Sequence, residues 1–321
     1  MEATALRTFT PQRERKSRFI IDLSEASLIG VLQAYQDHKR KTSPGFTIEA
    51  VISNLKRVQD QCLLVLQPDD VTDEFYSYFI QYGTRQNLAM SSIKCYCCSI
   101  RTALSWGTKH GCPVSSSYDE LNIRDSEPHR VSLSADDVSH IAHYDCNTIK
   151  CRSDHRKTLE RVRDSIVLQT NLFCRYSDLE KISRKNFTGH VFSYVQQKTG
   201  GKAVVDIDRY SVTPKLAMEI LDRYGYTCPY KGGIDNFNRY LHELLGHIGG
   251  PFDEVVAFEE KINGVVVQKT YKRRELISSH CARRTAITIA VKTAQTETEV
   301  RRCSGHVSNG RDSFRKYIVY E

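Results

Sequence analysis

Residues 271–286 read YKRRELISSHCARRTA, and the rest of the chain is best read outward from them. Lys272, Arg273, Arg274, Arg283 and Arg284 stand against one acid, Glu275, where a solvated helix face would mix its signs more evenly. Ser278 or Ser279 is an N-cap residue, so the pattern predicts a helix running through residue 294. His280 and Arg283 are three apart and project from one face of it. They fall in the first turn, where backbone N–H groups lack helical partners. An arginine and a histidine at a helix N-terminus make a natural site for a phosphate.

The elements on either side follow from periodicity and caps. An apolar helix is expected over 160–173, with Arg175 in the tight junction before a short helix opened by Ser177-Asp178-Leu179-Glu180, an S-x-x-E capping box. β-rich runs at 191–198 and 203–208 flank Thr199-Gly200-Gly201-Lys202, a hairpin with Lys198 near its tip. Helices are expected over 215–224 and 236–245, a second hairpin over 255–270 turning at Asn263-Gly264, a helix over 297–303, and a helical tail over 313–319. Upstream, Ser134 caps a helix with acids in its first turn. Residues 112–130, rich in Pro, Ser, Asp and Asn, suit a linker. Before them, helices are expected over 24–38 (capped by Ser24 or Ser27), 48–67, 70–84 and 91–110, the last stopped by Gly111.

The bulk composition sets limits. A chain of 321 residues suits two domains, and 40% hydrophobic with 26% charged residues is ordinary for a globular protein. No apolar run is long enough for a membrane span, and the polar, basic N-terminus lacks the run of a signal peptide, so a cytoplasmic protein is expected. The net charge of +8 favours an anionic partner, nucleic acid first. Eleven cysteines at irregular spacing suit no disulfide framework. Cys95, Cys97 and Cys98, with His110 and Cys112, lack paired C-x2-C knuckles; core thiols on a face with Cys95, Cys98 and Leu104 are expected instead of a metal site.

Arg175, Lys198, His280, Arg283, His306 and Tyr317 gain meaning as a set. Exchange of a phosphodiester needs a nucleophile, charge stabilisation and an acid for the leaving oxygen. Tyr317 offers the first, two arginines the second, and Lys198 the third. Spacing alone does not choose between Tyr317 and Tyr320.

The same residues carry a resemblance. Cys174-Arg175-Tyr176-Ser177-Asp178-Leu179 resembles the GLR-x-S-D/E-L block of the tyrosine recombinase (phage integrase) family. Gln197-Lys198-Thr199-Gly200 is similar to its hairpin lysine motif, residues 275–286 to its H-x-x-R helix, and Ser304-Gly305-His306 to its LGH box. Phe314-Arg315-Lys316-Tyr317 resembles the F-x-K-Y of integrases from Bacteroides-type mobile elements. The likeness covers about residues 130–321, and more weakly 70–112. This chain departs from the pattern in carrying Phe173 for glycine, Cys174 for leucine, Ser304 for leucine, and an apparent insertion at Asn309-Gly310-Arg311.

The resemblance implies a mainly α fold with small β-hairpins (α+β). It implies a basic arm at 1–20, a helical core-binding (SAM-like) DNA-binding domain at 21–112, a linker at 113–130 and a catalytic domain at 131–321, forming a C-shaped clamp. Arg175 and Arg283 would bind the scissile phosphate, His280 would contact it or assist proton transfer, and His306 would hydrogen-bond a phosphate oxygen. Lys198 would protonate the departing 5′ oxygen, and Tyr317 would form a 3′-phosphotyrosine. Lys94, Arg101 and Lys109 would meet DNA phosphates. No cofactor or metal is implied. The implied partners are double-stranded DNA with inverted-repeat sites, three further copies of the chain in a homotetramer on two duplexes, and an accessory DNA-bending protein. The alternatives are a recombinase-like DNA-binding protein that does not cut, and a type IB topoisomerase.

Overall fold

The computed structural model describes residues 21–120, 131–262, 265–293, 295–306 and 314–319. They form two compact units, one of residues 21–120 with 261–262 and 265, and one of residues 131–260 with those from 266 onward. Among the described residues no helix is long and apolar enough to cross a membrane.

The first unit holds four helices: α1 (Leu28–Arg40), α2 (Glu49–Cys62), α3 (Asp73–Arg85) and α4 (Met90–Gly107). Ser27 caps α1 by accepting from Gly30 N at 3.2 Å, which chooses between the two serines. Leu28, Leu32, Leu55, Phe79, Ile93 and Ile100 are buried in the shared core. α2 ends five residues earlier than its apolar pattern predicts. Leu63 turns left-handed at φ 53°, and Leu64 and Val65, which read as a continuing helix face, are left exposed. α3 starts at its Thr72 cap, three residues later than the expected 70, because a single 3-10 turn occupies Pro68–Asp70. On α4 the core thiol is Cys97; Cys95 is exposed and Cys98 half-buried, so the face expected through Cys95 and Cys98 is displaced. Gly111 stops the helical segment at φ 79°. Beyond it Val114 and Tyr118 pack on the same core, and Tyr76 Oη donates to Tyr118 O at 2.8 Å.

The second unit begins with α5 (Ala135–His143), capped reciprocally by Ser134 and Asp137, then α6 (Ser153–Asn171) and the four-residue α7 (Tyr176–Leu179). A three-stranded antiparallel sheet follows: β1 (Phe187–Thr188), β2 (Val191–Val195) and β3 (Lys202–Asp206), with Val195 opposite Lys202. Then come α8 (Ile207–Tyr210), α9 (Pro214–Arg223) and α10 (Ile234–Ile248). A separate hairpin, β4 (Val255–Ile262) with β5 (Val265–Lys272), leads to α11 (Arg273–Leu276), α12 (Ser279–Lys292) and α13 (Glu297–Ser304). The predicted turn at Asn263-Gly264 lies outside the described residues, as do the basic arm and residue 294.

α12 is the central element. Most of its buried positions are small or polar, among them Cys281, Ala282, Thr285, Ala286 and Ala290, with Ile287 the large apolar exception. Small side chains let α6 and α13 approach it closely. The cationic run that marked this region is partly consumed by the fold. Arg273 forms a two-pronged pair with Asp137, at 2.9 Å for Nη1, and Arg274 pairs with Asp253. Arg284 Nη1 donates to Val131 O at 2.8 Å. Its charge density is therefore as much structural as it is available to a partner.

Candidate active site

Arg175 is set by the turn between α6 and α7. Phe173 is fully buried and takes a left-handed conformation, φ 55°, at the position where the family pattern carries glycine. Gln169 Nε2 reaches down from α6 to Cys174 O at 3.2 Å and fixes the turn. Arg175, not Ser177, is the N-cap residue of α7, with extended backbone (φ -74°, ψ 156°). The expected capping box at Ser177 is thus two residues out: Ser177 is already helical.

Lys198 lies exposed in the turn between β2 and β3. That turn is tied to α7. Gln197 N donates to Asp178 Oδ1 at 3.1 Å, Gln197 Nε2 to Ser177 O at 2.8 Å, and Lys181 Nζ to Gln197 Oε1 at 2.6 Å.

α12 brings the next pair. Its N-terminus is not open, as the first-turn argument expects: Ser279 N donates to Asn238 Oδ1 at 2.8 Å, and Ser278 and Cys281 cap each other. Arg283 sits one turn further in and is fully buried. Its Nη1 donates to Phe173 O at 2.7 Å and its Nη2 to Ser304 O at 2.5 Å. Nε has no acceptor, and no carboxylate pairs with this guanidinium among the described residues. His280 is exposed at its edge but closely packed. That packing, followed by the positive charges of Arg284, Arg283, Arg175 and Lys198, lowers its pKa to about 4, leaving a neutral imidazole at pH 7.

α13 ends at Gly305, φ 63°, which lets His306 N return to Arg301 O at 3.0 Å. Ser304 Oγ donates to Val300 O at 2.7 Å and lies in hydrogen-bond contact with His306 Nδ1, 2.8 Å away.

Tyr317 closes the group. Its 3-10 turn, Phe314–Tyr317, replaces the helical tail expected over 313–319. Phe314 and Ile318 are buried, and Thr288 Oγ1 of α12 donates to Tyr317 O at 3.1 Å. The half-buried ring packs near two imidazoles, with centroids 5.2 Å from His280 and 4.9 Å from His306. Arg283 Cζ is 5.4 Å from the ring centre. Tyr320 and Asn309-Gly310-Arg311 lie outside the described residues.

All six sequence-selected residues thus belong to one neighbourhood of the second unit. Motif reading missed the residues that hold them, above all Gln196 and the Ser304 carbonyl; the only sequence signal was their adjacency to Lys198 and His306. In the first unit, Lys94 and Arg101 stand half-buried two turns apart on α4, and Lys109 is exposed just beyond it. Arg101 lines a cleft of about 300 Å³ with Thr102, Ser105, Tyr118 and Asp119.

Known structures share this arrangement of elements. A lambda integrase dimer bound to a COC' core site matches with a TM-score of 0.59 and 16% identity, over 91% of this chain and 95% of that one. The Tn1549 transposon integrase in complex with circular intermediate DNA matches with a TM-score of 0.58 and 12% identity, over 92% and 96%. A lambda integrase tetramer bound to a Holliday junction matches with a TM-score of 0.60 and 17% identity, over 92% and 79%. The chain therefore has the tyrosine recombinase fold over most of its length. No family model and no curated protein sequence matches it.

Proposed function

We propose that this chain is a site-specific DNA recombinase that cuts and rejoins strands through Tyr317. The observation that carries the reading is the setting of that ring: two imidazoles pack near it, and a buried guanidinium that pairs with no carboxylate among the described residues lies beside it. A scissile phosphate supplies the missing anion. Arg175 and Arg283 hold its non-bridging oxygens, as guanidinium forks do for phosphates. His280 contacts the phosphate or assists transfer of the tyrosine proton, and His306 contacts a phosphate oxygen. The Tyr317 oxygen attacks phosphorus, the bond to the 5′ oxygen breaks, and Lys198 gives that oxygen its proton. A 3′-phosphotyrosine and a free 5′ hydroxyl remain. A 5′ hydroxyl from a partner strand reverses the step, and the ester conserves the bond energy.

The partners proposed with it are duplex DNA carrying inverted repeats, further copies of the chain in a tetramer, and an accessory bending protein. The lambda integrase tetramer on a Holliday junction supports the assembly by fold alone. Residues 21–112 are proposed as the core-binding domain, with Lys94, Arg101 and Lys109 on phosphates, and residues 131–321 as the catalytic domain. The test is incubation of the full chain with nicked duplexes made from the inverted repeats beside its gene. A denaturation-resistant protein–DNA adduct is expected, and duplex binding should weaken steeply with salt. Binding without an adduct would favour the non-cutting protein, and relaxation of supercoiled plasmid without site preference the topoisomerase.

A further inference from the structure

Gln196 has no part in the chemistry above, yet its side chain joins Arg175 to a residue of the Lys198 turn and to the carbonyl that holds Arg283. It is the last residue before the Lys198 turn and is 2% exposed. Its Oε1 accepts from Arg175 Nη1 at 2.8 Å and from the Thr199 hydroxyl. Its Nε2 donates to Ser304 O, the same carbonyl that accepts from Arg283 Nη2. The amide orientation follows from its neighbours: a guanidinium only donates and a carbonyl only accepts, so oxygen faces Arg175 and nitrogen faces Ser304. Its backbone closes the turn, with Gln196 N donating to Gly201 O and Gly200 N donating to Gln196 O, both at 2.9 Å. Space for the amide depends on Gly305, where a Cβ would overlap Gln196 Nε2 and crowd Ala203.

We propose that Gln196 is the positioning residue of this site. One carboxamide holds the Arg175 guanidinium, the Lys198 turn and the Ser304 carbonyl in a common frame, so that both arginines and the lysine meet one phosphate together. The proposal rests on the recombinase reading. It makes a chemical demand of position 196: one acceptor toward Arg175 and one donor toward Ser304. Methionine has the length and neither group. Glutamate keeps the acceptor, but as a carboxylate it sets a second oxygen against the Ser304 carbonyl and neutralises Arg175. Protonated glutamic acid has one acceptor and one donor, and so replaces glutamine.

The test compares the full-length wild type with Gln196→Met and Gln196→Glu in single-turnover cleavage of the nicked inverted-repeat duplexes. Duplex affinity and melting temperature are measured alongside. A second substrate carries sulfur in place of the bridging 5′ oxygen; the thiolate leaves without a proton, so the demand on Lys198 is removed. Gln196→Met should slow cleavage roughly ten- to a hundredfold, the scale of a lost charge-assisted hydrogen bond, with affinity within about twofold of wild type. The sulfur substrate should recover part of that loss. The rate of Gln196→Glu relative to wild type should rise as pH falls from about 6 toward about 4, as the carboxyl takes up its proton. A wild-type rate for Gln196→Met overturns the proposal. So does a loss that merely tracks melting temperature and affinity, with no response to sulfur and no pH-dependent rescue. If the wild type forms no adduct at Tyr317, the recombinase reading itself fails and the proposal falls with it, a result distinct from a defect confined to the variants.

Discussion

Arg283 Cζ lies 5.4 Å from the centre of the Tyr317 ring, at the end of a side chain that is fully buried. Its Nη atoms are held by the carbonyls of Phe173 and Ser304, and no carboxylate pairs with it among the described residues. A buried cation held by neutral carbonyls is costly, and an anion brought beside it relieves that cost.

Sulfate or inorganic phosphate should therefore stabilise the DNA-free protein more than chloride at equal ionic strength. At about ten times Kd the linkage amounts to about 1.4 kcal/mol. In a domain of this size that raises Tm by about 3–5 °C. Arg283→Met should abolish the difference between the salts. Equal shifts in chloride, or a sulfate effect that survives the substitution, would contradict an anion site at Arg283.

Phe173 sets two opposed effects against each other. Its left-handed backbone costs about 1–2 kcal/mol in a residue with a Cβ. Its fully buried ring is worth more, since removing a core phenylalanine typically costs about 3–5 kcal/mol. Phe173→Gly should relieve the strain and still destabilise the protein by about 2 kcal/mol, read as a lower urea midpoint at unchanged slope. A more stable variant would show that strain outweighs packing at this turn.

The His280 pKa has a defined sign. Its folded value, about 4, lies below the ordinary 6.5, so the unfolded chain binds the proton first. The contribution is present above pH 6.5 and is lost as pH falls toward 4. Unfolding midpoints should fall across that window, and His280→Asn should flatten the dependence. A His280 ring that titrates near 6.5 by NMR in the folded protein would contradict the crowding by Arg284, Arg283, Arg175 and Lys198.

Much of this was legible because caps and periodicity are local. Ser27, Ser134 and Ser278 cap the helices their positions announce. Other features depend on tertiary context. Nothing in a phenylalanine announces a left-handed turn, yet Phe173 takes one because its ring fills the core and its carbonyl meets Arg283. Ser177 through Glu180 satisfies a capping pattern, but the turn at Cys174 starts the helix earlier and puts Arg175 at the cap. The apolar run Leu63-Leu64-Val65 extends a helical pattern that the backbone abandons. α6 begins at Ser153, seven residues before its apolar face suggests, because its first two turns are charged and solvated. At the site, motif reading selects groups of chemical character. The amide and carbonyls that aim them, Gln196 and Ser304 O, have no signature of their own.

The central claim is that Tyr317 is the nucleophile, and mass spectrometry of the trapped adduct tests it most directly. The protein is captured on the nicked inverted-repeat duplex, digested with protease and nuclease, and the modified peptide is sequenced. The account predicts a nucleotide on Tyr317, no adduct from Tyr317→Phe although the duplex is still bound, and an unchanged adduct from Tyr320→Phe. A nucleotide on Tyr320, or an adduct that survives Tyr317→Phe, would contradict it.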